Sequence, residues 1–206
     1  ESFLIDPERF AFRPLPAIAS SVAFLAGGWL AYDLLCRSPL GRHTVSLATG
    51  VFVLIVFSAW ALTQLFSDRA AFLHVGAIIA TIMSANVFFV IIPNQKKVIA
   101  ALTAGQQPDA QLGQQAGQRS LHNNYLTLPV VLLMISAHHP FLFAGGTALG
   151  WAVIALMLVM GGVIRPFFNT QHEGGHGIRS EEHTSELQSL VNLVCRHLLE
   201  KKKTSL

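Results

Sequence analysis

The stretch Ala70–Ile92 constrains this chain more than any other. It reads AAFLHVGAIIATIMSANVFFVII and carries no charged side chain. At 1.5 Å per residue, a helix of this length reaches about 34 Å, enough to cross about 30 Å of bilayer hydrocarbon. No water is present at that depth to satisfy a backbone N–H or C=O, so such a segment must satisfy its own by coiling into a helix. Four further apolar blocks resemble it: Ala17–Leu35, Val45–Phe66, Leu121–Ala137 and Phe141–Ile164. The expected fold is all-α, a polytopic transmembrane bundle of five helices. Only 12% of the residues are charged, about half the usual share for a soluble domain. The net charge of +3 is spread thinly, so no basic footprint for nucleic acid exists.

Between these blocks the chain changes character. Glu1–Arg13 reads as an interfacial lead-in, and Arg37–Thr44 as a short basic loop. Pro93 is expected to stop the third helix, leaving Asn94–Ser120 as a long polar loop at a membrane surface. Pro129 lies inside the fourth helix, which membrane helices tolerate when neighbours satisfy the freed carbonyl. Gly146 and Gly150 have a spacing that favours close helix packing. Five crossings collect Arg37, Arg42, Lys96, Lys97, Arg119 and Arg165 on one side, and Arg9, Arg13 and Arg69 on the other. The positive-inside rule makes the first side cytoplasmic.

The composition shifts abruptly after Ile178. RSEEHTSELQS, starting at Arg179, looks like a translated sequencing adapter, and Lys201–Lys203 like an A-rich end. Residues 1–178 are therefore read as the transmembrane domain, a piece of a longer protein, and 179–206 as an artefactual or disordered tail. The tail is expected to pack nothing against the bundle. Cys36 and Cys195 lie far apart, and no CxxCH motif for haem attachment occurs.

Polar groups within membrane-length helices are costly, so they are the functional candidates. His74 heads a stripe of small residues, Ala77, Thr81, Ser84 and Ala85, expected to face a helix or cavity. It can serve as a haem ligand, proton relay or substrate contact, or simply bond between helices. His122, Asn123, Asn124 and Tyr125 form the densest polar cluster. One such residue would suffice as a helix cap. With Asn94, Gln95 and Arg119, the four can line a pocket for a planar anionic molecule. His74 and His122 are the catalytic candidates; Asn94, Gln95, Arg119, Asn123, Asn124 and Tyr125 are the substrate-binding ones. Asp33 is the only acid within an apolar block. His172-Glu173-Gly174-Gly175-His176 matches H-E-x-x-H, but its two glycines oppose the helix that zinc chemistry needs. It is read as loop, and no metal site is assigned.

FLHVGAIIATIMSANVFFVIIPNQKKV, QRSLHNNYLTLPV and IRPFFNTQH resemble the membrane domain of the bacterial cytochrome c urate oxidase family. The resemblance spans roughly Phe3–His172 and includes LIDP and YDLLCRSPLG. It implies a multi-pass protein of the bacterial inner membrane. Its activity would be oxidation of urate in purine breakdown, with electrons passed to a cytochrome c. It also implies partners in urate, membrane lipid and a cytochrome c domain or other electron acceptor. Haem c would sit in a C-terminal domain outside this chain. The resemblance places the chain's exit outside the cytoplasm, against the charge count. A b-type haem in the bundle is a further option, although His74 and His122 start helices on opposite faces, about 30 Å apart. A second class of function stays open, a transporter or binding module for a small anionic purine. Polar helix ends and a proline break would suit it.

Overall fold

The computed structural model describes residues 14–136, 138–143 and 147–173. All regular structure among them is helical, and five long helices run up and down. These are α1 (Pro14–Arg37), α2 (Thr44–Leu65), α3 (Asp68–Thr103), α4 (Ala110–Ser136) and α5 (Thr147–Glu173). The lead-in, Gly146 and the stretch from residue 174 onward, which holds the tail and most of the H-E-x-x-H match, lie outside the described residues.

Local chemistry sets the ends. Pro39 disfavours helical backbone at Ser38, which is extended (ψ 169°), so α1 stops there. A 3₁₀ turn, Pro39–Arg42, then folds back under α1. Gly41 makes this possible, because a Cβ at that position would collide with the Cys36 carbonyl. Ser67 caps α3 by accepting from the Ala70 N–H at 3.4 Å, and Asp68 places negative charge at the positive helix end.

Pro93 does not stop α3, contrary to the sequence expectation. The helix widens into a π turn over Val87–Ile91, with the Ile92 N–H reaching the Val87 carbonyl, and continues to Thr103. The wider turn accommodates a residue that cannot donate. The expected loop Asn94–Ser120 is therefore mostly helix, and only residues 104–109 connect α3 to α4. Lys, Gln and Ala are good helix formers, and polarity alone does not make a loop. Gly105 (φ 70°) closes α3 in a Schellman motif: its N–H reaches the Leu102 carbonyl, and that of Gln106 reaches Ala101. Asp109 then caps α4 through the Gln111 N–H at 2.9 Å. Asn94 pins the resulting hairpin by donating to the Leu112 carbonyl and the Gln115 side chain. Gln118 ties it to the α1–α2 turn by donating to the Gly41 carbonyl at 2.7 Å.

The core is a seam of side chains facing inward from α2 and α3, including Leu47, Ile55, Leu62, Phe72, Val75, Ile79 and Ile82. The outward faces are equally apolar. Leu15, Val22, Leu34, Phe57, Leu149, Leu156 and Val163 are all exposed, as lipid-facing residues are in a membrane bundle. Three helices, Leu15–Arg37, Thr44–Leu65 and Asp68–Thr103, are long and apolar enough to cross a membrane, and Leu149–Arg165 is a shorter apolar segment.

Against α5, Pro129 packs directly on Gly161, where a Cβ would overlap the proline ring. Helix α4 passes Pro129 unbroken. Gly161→Ala is therefore expected to cost about 1–3 kcal/mol through overpacking against a rigid ring. Thermal unfolding in detergent should show a lowered midpoint, and an unchanged midpoint would contradict this contact.

Candidate functional site

Three helices carry polar side chains to one level of the bundle. Helix α1 brings Tyr32 and Asp33, α3 brings Asn86 just before its π turn, and α4 brings Arg119, His122 and Asn123. Tyr32 is fully buried, Asn86 is 1% exposed and Arg119 4%. A guanidinium so deep requires a counter-charge. Asp33 supplies it, accepting from Arg119 Nη2 at 2.7 Å through Oδ1, while its Oδ2 pairs with the exposed Arg37 at 2.7 Å. Arg119 also lies over the Tyr32 ring, 4.9 Å from its centre, in cation–π geometry.

A hydrogen-bond chain leads away from this pair. Arg119 Nη1 donates to Asn86 Oδ1 at 3.4 Å. Asn86 Nδ2 donates to the Tyr32 hydroxyl oxygen at 3.0 Å and to Asn123 Oδ1 at 2.9 Å. Asn123 Nδ2 donates to the Met83 carbonyl at 3.0 Å. The Tyr32 hydroxyl then meets His122 Nδ1 at 2.8 Å, with the two rings edge to face.

His122 also borders a cavity of about 540 Å³ between α2, α4 and α5. Its polar lining is Thr44, Thr49, His122 and Tyr125; Phe52, Ile55, Leu126, Pro129 and Leu158 make up much of the apolar wall. This is the size and character of a small-molecule site, apolar with a few polar groups. Asn124 points the other way around α4 and accepts a hydrogen bond from Arg165 of α5.

The structure brings together Arg119, His122 and Asn123, with Tyr125 beside them on the cavity and Asn124 adjacent on Arg165. It does not bring in the others. Asn94 serves the α3–α4 hairpin, and Gln95 is half-buried farther along the same helix. His74 stacks on Phe66 at 5.0 Å and bonds the Ala70 carbonyl (2.7 Å) and the Ser21 hydroxyl of α1 (2.9 Å). The small-residue stripe does not lead inward as a unit, because Ser84 is exposed while Ala85 beside it is buried. Helices α3 and α4 are antiparallel, with Asn86 beside Asn123 and Gly76 beside Leu133. His74 therefore lies 12 residues back from the Asn86 level, about 18 Å along the axis. That is nearer than the 30 Å expected from sequence, and still far beyond a shared ligand.

Sequence reasoning passed over three members of the network. Asp33 stood out as a lone acid but was given no partner, and Tyr32 and Asn86 went unmarked inside apolar runs. An ionisable or amide side chain at membrane depth was the available signal.

Over residues 1–195 the chain matches the family described as urate oxidase N-terminal, and it belongs to that family. The match continues past Ile178. No curated protein and no solved structure matches the chain.

Asp33→Leu should destabilise the bundle by about 3–5 kcal/mol, by leaving Arg119 buried without its partner. The double variant Asp33→Leu/Arg119→Met should recover most of that loss. Chemical unfolding of the three proteins checks this; additive losses would show that the pair is not coupled.

Proposed function

We propose that this member of the urate oxidase N-terminal family is the membrane domain of an oxidoreductase that acts on urate in the bacterial inner membrane. The reaction removes two electrons and two protons from urate while water adds a hydroxyl at C5, which gives 5-hydroxyisourate. The electrons pass to a cytochrome c. Family membership supports the substrate, and three helices of membrane-crossing length support the location.

One observation carries the choice of site. His122 is the side chain shared by the buried polar network and the cavity. Urate would lie flat between the apolar walls, with its polar edge toward His122, Tyr125, Thr44 and Thr49. Arg119 and Asn123 then act from behind, because their hydrogen-bonding groups are engaged by Asp33, Asn86 and the Met83 carbonyl. Asn124 accepts from Arg165 on α5, and neither residue lines the cavity.

Haem would supply one-electron acceptance, but His122 and His74 do not suit one b-type haem held between them. His122 and His74 stand about 18 Å apart along the bundle, and both ring nitrogens of His74 have partners. Haem c, in this reading, belongs to a separate cytochrome c domain or protein. The transporter reading drew on a helix broken at Pro129, and α4 runs through that residue.

His122→Gln should lower urate-dependent cytochrome c reduction by about 100-fold, the typical cost of one positioned hydrogen-bonding group, without preventing membrane insertion. Activity equal to the parent protein would overturn the site. Uptake of labelled urate into proteoliposomes without oxidation would favour a transporter instead.

A further inference from the structure

The network around Tyr32 has a direction, and two independent anchors fix it. The Met83 carbonyl can only accept, so Asn123 must turn its Nδ2 toward it and its Oδ1 toward Asn86. Arg119 can only donate, so Asn86 must turn Oδ1 toward the guanidinium. Both constraints give the same Asn86 amide orientation, with Nδ2 facing the Tyr32 oxygen and donating to it. The one phenolic proton of Tyr32 is then free to go to His122 Nδ1, 2.8 Å away.

We infer that Tyr32, Asn86 and Arg119 are positioning residues that lock neutral His122 in one tautomer, Nδ1 bare and Nε2 protonated, so that it meets a cavity ligand as a hydrogen-bond donor. The alternative tautomer would set two donors against the Tyr32 oxygen and leave the phenolic proton without that acceptor in a buried place, which is costly. Nε2 has no hydrogen-bond partner among the described residues, and the ring borders the cavity. The recognised ligand must therefore present an acceptor at this point, a carbonyl oxygen or a deprotonated ring nitrogen, on a planar body that fits the apolar walls. A ligand presenting N–H there is refused, because two donors would face each other. Applied to urate, this rests on the reading of the cavity as the urate site; the tautomer itself does not.

The test is ¹⁵N NMR of the histidine-labelled chain in lipid nanodiscs near neutral pH, with His122 assigned by the signal lost in His122→Gln. The expected spectrum has Nδ1 unprotonated and Nε2 protonated without any ligand. In Tyr32→Phe the preference should relax to a mixture of tautomers, and urate binding should weaken about five- to tenfold. A His122 protonated at Nδ1 in the parent protein overturns the inference, and so does an unchanged tautomer in a folded Tyr32→Phe variant. The parent spectrum does not depend on Tyr32→Phe, so misfolding of that variant leaves the question decided. The predicted tautomer combined with absent urate binding would uphold the lock and refute the urate site.

Discussion

The buried ion pair between Asp33 and Arg119 is the constraint on which the rest of the bundle depends. A buried charge tolerates few surroundings. Once Arg119 is placed inside, α1 must present Asp33 to it at one height and one rotation. The same placement sets the guanidinium against Asn86 and over Tyr32. The register of α1 against α4 is thus fixed by chemistry, where apolar packing alone would allow sliding. Asp33 also pairs with the exposed Arg37 one turn on, so the network reaches the exposed end of α1.

Much of the fold could be read from the sequence, because lipid leaves few options. Helix α2 lies within one residue of its expected bounds, since its apolar block ends where polar residues begin. The rule failed where polarity and helix propensity diverge. The Lys-, Gln- and Ala-rich stretch around Lys96 and Gln114 is polar enough to leave the membrane and helical enough to continue α3 and α4 beyond it. Pro93 misled for a different reason, because a π turn gives the chain a way past a missing donor.

The site was legible only in part. His122, Asn123 and Arg119 declared themselves as a polar cluster on one helix. Tyr32, Asp33 and Asn86 did not, because their meaning lies in register between helices some 30 to 90 positions apart in sequence. One sequence does not state such pairings. His74 shows the converse. It looks functional in the apolar run, yet its partners are a carbonyl one turn away and a serine on α1, as expected of a histidine that joins two helices.

The polar network and the cavity share one residue, which divides the labour between them. Asp33, Arg119, Asn86 and Asn123 face one another and hold geometry; His122 carries the result of that geometry to the cavity wall. The most direct test of this division is a cryo-EM map of the protein in nanodiscs with urate bound. It should show a planar ligand between α2, α4 and α5, hydrogen-bonded to His122 Nε2, with Arg119 still paired to Asp33. Urate bound elsewhere, or Arg119 released from Asp33 onto the ligand, would contradict it.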